Sequence, residues 1–554
     1  MLRPLLLCFC LLASAQAATP PADLIVHDAR IHTVDARRPL ARAMAVRAGR
    51  IVFVGSEREA LSLRGPRTRL LDLDGASVIP GMIDAHAHLL SLGQSLQTVD
   101  LRGTTSYEAV IERVRERARS TPAGRWIVGR GWDQNDWADT RFPDHAALSA
   151  ALPAHPVMLE RVDGHAVLVN AAALSAAGIR RDTPDPDGGR IEHDAPGEPS
   201  GVLVDNAIDL VAKVMPAASG AELRDAVLRA IAELQRYGLT GIHDAGVSRE
   251  VIAVYEALAR EQRFGLRNYV MVAGSDADID WAIARGAQNG LHDGRLWLRS
   301  IKLSADGALG SRGAWLLEPY ADAPGHSGLA TLPPGRVRAV AAKALAAGFQ
   351  VNTHAIGDRA NRVVLDELAA ALDAVPVADH RFRIEHAQIL HPDDLARFAE
   401  LGVIPSMQAS HQTSDMYWAG ARIGPARELG AYAWRSLLDS GVIIPNGSDL
   451  PVELPDPLIS FHAAVSRQDA KDWPAGGWHP EQRMSREEAL RSMTIWPAQA
   501  AFMEHEVGSL EAGKRADFVV LDQDLMRVPA ALILRTRVLQ TWLGGERVYL
   551  RTAP

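Results

Sequence analysis

The sequence predicts an α/β chain: a (β/α)8 barrel of the TIM type, a small composite β-sandwich formed by both termini, and a subdomain inserted in the barrel. Apolar runs of strand length alternate with Ala/Leu/Glu/Arg stretches of helix length through the middle of the chain. Eight runs read as strands, at 78–86, 239–243, 268–274, 297–303, 348–354, 382–386, 402–407 and 442–447, the number a closed parallel barrel needs. The two ends share a texture of Val and Ile alternating with polar residues, closed by Gly or Asp, which the middle lacks.

The chain opens with MLRPLLLCFCLLASAQAATP, one Arg before an apolar run from Leu5 to Ala13, then the small residues Ala15-Gln16-Ala17. This reads as a signal peptide over 1–17, cut after Ala17. As a membrane anchor the run is short. The expectation is a periplasmic or secreted protein with no membrane anchor after processing. Both cysteines, Cys8 and Cys10, lie in that run. The processed chain therefore has no disulfide, thiolate ligand or cysteine nucleophile.

Residues 23–77 form the N-terminal half of the sandwich and 505–550 the C-terminal half, because either half alone leaves an apolar sheet face uncovered. The barrel occupies 78–500. The interval 100–235 is too long for one crossover and reads as an insert that can lie over the barrel mouth. The formal charge of −8 and the lack of any Lys/Arg-rich run argue against a nucleic-acid binder. A small molecule is the expected partner. A homodimer is plausible, with nothing in the sequence to support it.

The strongest local pattern is VIPGMIDAHAHLL. Residues i and i+2 of a strand share a face, so Asp84, His86 and His88 lie together. Two imidazoles so placed can grip one divalent ion; the alternative is a surface His pair. Other ionisable residues end separate proposed strands: Lys302 after WLRSIK, His354 after GFQVNTH, His386 after FRIEH, and Asp449 after VIIPNGS. Barrel enzymes build their sites at those ends. Lys302 is either a surface lysine or, as a carbamate, an anionic ligand that bridges two ions. Asp449 is either a plain ligand or the proton acceptor for an attacking water. His243, His165, Asp306 and Arg312 read as contacts to substrate or to reacting atoms, each equally open to a structural role. Trp132 is a core aromatic of the insert or a pocket wall, and Trp137 is structural.

These residues and their motifs resemble the amidohydrolase superfamily. GMIDAHAHLL, DGALGSRGAW, NTHAIGDRA, RIEHAQ, NGSDLPVE and GSLEAGKRADFVVLD carry the likeness, with GRGWDQNDW and ERVDGHAVLVN in the insert. The branch is that of YtcJ-like and N-substituted formamide deformylase-like proteins, amidohydrolase family 3, over about residues 23–550. The resemblance implies that His86 and His88 hold one metal and that His354 and His386 hold another. It implies that a carboxylated Lys302 bridges them and that Asp449 is ligand and base. Zn2+ is the usual ion, one or two per chain, although N/O ligands also take manganese, iron or nickel. The resemblance also implies Gln408 and His411 as substrate contacts, with one departure: Gln408-Ala409-Ser410-His411 lacks the proline the branch carries in this loop.

The expected function is hydrolysis of a non-peptide C–N bond (amide, formamide or carbamate-like) by metal-bound hydroxide, with His243 or His165 at the oxyanion. The alternatives are a lactone, ester or phosphoester hydrolase using the same site, a metal-dependent isomerase or deaminase, and a non-enzymatic binding protein.

Overall fold

The structure is a computed structural model that describes residues 20–552 apart from 217 and 274. The signal peptide expected at 1–17 lies outside the described residues.

Seven parallel strands follow one another round the barrel: β1 (Met82–Ala87), β2 (Leu239–Val247), β3 (Arg267–Val272), β4 (Leu296–Ser304), β5 (Gln350–Ala355), β6 (Arg383–His386) and β7 (Ile404–Ser406). The run expected as an eighth strand, 442–447, is not a regular strand. Pro445 has no amide to donate, and Asn446 N turns away to Ser492 O at 2.7 Å. The segment nevertheless closes the ring. It bonds Met407 on one side (Met407 N to Pro445 O, 3.0 Å) and β1 on the other (Ala85 N to Asn446 O, 3.1 Å; Asp449 N to His86 O, 2.7 Å).

The run expected as one strand at 78–86 divides at Gly81. Ser77–Pro80 pairs with Phe518–Leu521 of the C-terminal segment, and β1 starts the barrel. This division joins the two domains covalently and keeps them in register. The sandwich has a four-stranded sheet from the N-terminal segment and a six-stranded sheet that draws three strands from each end of the chain. Between them lie Leu24, Val26, Met44, Val78, Phe518 and Trp542, all buried.

Helices clad the barrel because their apolar residues recur every three to four positions. Helix Gly220–Arg236 begins at a Ser219/Glu222 capping box and buries Leu223, Ala226, Val227, Ala230, Ile231 and Leu234. It packs on helix Leu89–Ser95 in the barrel layer. The preceding interval folds as a separate six-stranded sheet over 99–205 with a core of its own around Trp132, Leu159 and Val202. No described helix is long and apolar enough to cross a membrane.

Candidate metal centre

His86, His386 and Asp449 each offer a ligand atom, and the three atoms lie within 4.8 Å of one another. β1 delivers His86. β6 ends in His386, whose φ of 75° turns the backbone into the left-handed region; Asp449 lies there too, at 56°. Such conformations cost a non-glycine residue about 1–3 kcal/mol each and persist where the surroundings over-determine them. At His386 the turn brings consecutive residues, Glu385 and His386, to one site, which strict strand alternation forbids.

Hydrogen bonds fix which nitrogen of each ring faces the centre. His88 Nδ1 donates to Ala245 O at 2.8 Å and His386 Nδ1 to Gln408 Oε1 at 2.7 Å. His86 Nδ1 meets Glu385 Oε2 at 2.5 Å. Each contact leaves Nε2 with its lone pair free. Two of those Nε2 atoms approach Asp449 Oδ1, His88 at 3.0 Å and His86 at 3.5 Å. That oxygen is buried and receives no hydrogen bond. Unprotonated nitrogens crowded around a bare carboxylate oxygen repel unless a cation lies among them, so the donor set fits a divalent ion of N/O preference. His354 completes the row, its ring 4.5 Å from His386 and its Nε2 3.3 Å from Asp306 Oδ1 without a hydrogen bond.

Burial lowers the Lys302 amine against the pull of Glu385 and Asp449. Lys302 shares a cavity wall with His86, His88, His354, His386, Asp449 and His165. Burial favours protonating Asp449, but His86, His88 and His386 outweigh it and hold the carboxyl well below its usual range.

Ser448 positions Asp449. Its Oγ lies 2.5 Å from Asp84 Oδ2, and its amide donates to Asp84 Oδ1 at 3.0 Å. Between them Gly447 passes so close to β1 that a Cβ would fall 2.5 Å from His86 N.

The insert contributes His165, which faces the same cavity with its ring 5.2 Å from His354. Burial alone would lower its pKa, but Asp205, accepting from Nδ1 at 2.7 Å, and then Asp163 and Asp449 raise it to about 9. Asp205 in turn lies in a cradle of the loop after β4. A Cβ on Gly307 or Gly313 would fall 2.4 or 2.6 Å from its Oδ2. Gly307 and Gly313 of DGALGSRGAW are thus spaces for Asp205.

Several expected contacts take other roles. Trp132 is fully buried in the insert core and donates Nε1 to Leu159 O at 2.7 Å, so it is no pocket wall. Arg312 pairs with Asp322 at 2.9 Å and lines neither cavity at the centre. Asp306 accepts from the amides of Trp315, Ile356 and Gly357 at 2.8–3.0 Å, which ties β4 to β5. Gln408 serves His386. His243 is sealed beneath the centre, where burial and then Arg383 hold its pKa well below the ordinary value. Arg383 donates to its Nδ1 at 2.8 Å, so His243 is neutral and lines neither cavity at the centre. His411 does reach the site, stacked on His386 with centroids 5.9 Å apart.

Sequence reading missed Glu385 and Arg383. Glu385 joins His86 to Arg383, whose Nε lies 2.8 Å from its Oε1. Two opposite charges two residues apart on a strand otherwise wholly buried were the available signal.

Barrel, sandwich and strand-end ligands together define a hydrolase of the metal-binding barrel class. The chain belongs to the amidohydrolase family, whose family model matches residues 69–549. It is 34% identical to Protein LONG AFTER FAR-RED 3 of Arabidopsis thaliana, over 97% of this chain and 94% of that one. It is 33% identical to the putative amidohydrolase YtcJ of Bacillus subtilis (95% and 99%) and 29% identical to N-substituted formamide deformylase of Arthrobacter pascens (96% and 99%). Among solved structures, an uncharacterized metal-dependent hydrolase from Pyrococcus horikoshii superposes with a TM-score of 0.74 at 27% identity, over 92% of this chain and 99% of that one.

Proposed function

We propose that this enzyme hydrolyses a non-peptide C–N bond, an amide, formamide or carbamate, in a small molecule. The observation that carries the reading is the convergence of His86, His386 and Asp449, with the Nε2 atoms of His86 and His88 directed at an unpaired Asp449 oxygen. The likeness to a formamide deformylase along nearly the whole of both chains favours this bond over an ester or phosphoester.

His86, His88 and Asp449 would hold one ion and His354 and His386 a second, with a carboxylated Lys302 as a further anionic ligand. A depressed amine pKa favours the neutral nucleophile that carboxylation requires. A bound divalent ion, zinc by expectation, supplies a Lewis acid for the scissile carbonyl and lowers the pKa of water.

The protein's own residues do the rest. Asp449 is ionised and accepts the proton of the attacking water. It returns that proton to the departing nitrogen as the C–N bond breaks, giving an acid and an amine. His165, cationic at neutral pH and locked by Asp205, faces the carbonyl oxygen as charge builds there. The leader at 1–17 supports a further part of the proposal, that the enzyme works outside the cytoplasm after cleavage at Ala17. N-terminal sequencing of exported protein tests this.

The test of function is metal analysis of purified protein with a turnover screen of N-formyl, N-acyl, carbamate and lactone compounds. Hydrolysis of a C–N substrate supports the reading, and turnover of lactones alone contradicts it.

A further inference from the structure

The cleft that opens onto the metal centre has a second pole. His354, His386 and Asp449 line one side. Asp415, at the end of helix Ala409–Asp415 after β7, and Glu453, in the loop after Asp449, line it as well. Tyr432 Oη and Gln388 Nε2 donate to Asp415 Oδ2 at 2.6 and 2.9 Å. Ser414 Oγ donates to Glu453 Oε1 at 2.6 Å. Among the described residues nothing donates to Asp415 Oδ1 or Glu453 Oε2, and neither carboxylate has an ion-pair partner.

Asp136 also lines this cleft without an ion-pair partner among the described residues, its pKa raised by burial and then by Asp133. Asp133 and Asp163 are both claimed by the buried Arg161. Arg102, the lining cation whose field reaches Glu453, is held by Asp100 through Nε and a terminal nitrogen at 2.9 and 2.7 Å. Burial pushes Asp415 up to about 7 against the pull of His411, with Glu453 and Asp133 adding repulsion; burial raises Glu453 too, again against His411. Two acids beside each other, both only partly exposed, repel unless a counter-charge comes between them.

A second observation points to a ligand between this pole and the metals. His411 is 9% exposed, lines the same cleft, and its Nε2 has no hydrogen-bond partner. Trp418 adds an aromatic face to the wall, admitted by Gly310, where a Cβ would fall 3.2 Å from the indole.

We propose that the substrate carries a cationic nitrogen, an alkylammonium or guanidinium group, remote from the scissile bond, and that Asp415 and Glu453 bind it beside Trp418. The proposal rests on the hydrolase reading above for the word substrate, and on the cleft alone for the cation site. Each free carboxylate oxygen then gains a charge-assisted hydrogen bond, and the indole face favours a cation.

Calorimetric titration of the metal-loaded protein with n-hexylammonium and with n-hexanol tests the site without turnover. The ammonium should bind at least tenfold more tightly, and D415N and E453Q should each cut that preference several-fold. Melting temperature and metal content show which variants are folded; two are used so that the loss of one leaves the other. Equal binding of the two probes, or a preference intact in the folded variants, overturns the proposal. In parallel, an N-formyl diamine should exceed the N-formyl amino alcohol of the same length at least tenfold in kcat/KM. Ammonium preference without turnover of any C–N substrate would sink the hydrolase reading and leave the cation site standing.

Discussion

Gln408 accepts the Nδ1 proton of His386 at 2.7 Å, and this contact sets the nitrogen that His386 presents to the centre. Gln408→Leu keeps the volume and removes the acceptor. Partners of this kind are worth about 10–100-fold in metal affinity. Competition with a chelator should show a loss of that size with the fold unchanged. Unaltered affinity would mean that packing alone holds the ring.

His165 and Asp205 form a second dependent pair, and the glycine cradle makes a third member. His165→Asn should lower kcat by about 10²–10³, the usual cost of one transition-state donor, with metal content unchanged. Gly307→Ala pushes a methyl against Asp205 Oδ2 and should lower kcat in the same direction. A pH–rate profile adds a sign. The folded pKa is raised to about 9, so the cation is present below that value and the contribution is lost as pH rises through it. Loss of metal in either variant would assign His165 to binding the ion instead.

Gly447 packs against Asp84 and His86 of β1, so Gly447→Ala forces a Cβ within 2.5 Å of His86 N and 2.9 Å of Asp84 Oδ1. Overpacking of this kind costs about 1–3 kcal/mol. The variant should melt lower and bind metal more weakly. A full metal complement at the wild-type melting temperature would show that the loop can shift without moving Asp449.

Asp415 gives a stability signature. Its folded pKa, about 7, lies above the unfolded value of about 3.9. Between those values the native state holds more protons than the unfolded one, so stability falls as pH rises. In the absence of cationic ligands, D415N should therefore gain on wild type between about pH 4 and pH 7 and keep a constant advantage above. Thermal melts across that range measure it, and parallel curves for the two proteins would contradict it.

The barrel was legible because most of its strands are short apolar runs with a polar residue at the C-terminal end. The eighth was not, because Pro445 spoils the ladder and closure depends on a few irregular bonds to Met407 and β1. His86, His386 and Asp449 could be found from their places at strand ends. Glu385 could not, because alternation puts it on the face opposite His386, and only the positive φ of His386 unites them. Asp415 and Glu453 were also invisible, for each lies in a loop or helix whose approach to the other is purely tertiary. Trp132 and Arg312 show the converse: residue types that favour binding sites were taken up by the insert core and by Asp322.

Asp449 is the point at which all of these arguments meet, and Asp449→Asn tests them most directly. The carboxamide keeps one oxygen for the ion and removes the proton acceptor. Metal content and turnover of a C–N substrate, measured on the same preparation, should show the ion retained and kcat reduced by about 10²–10⁴, the range for a positioned general base. Wild-type turnover in a metal-replete Asp449→Asn protein would contradict the account.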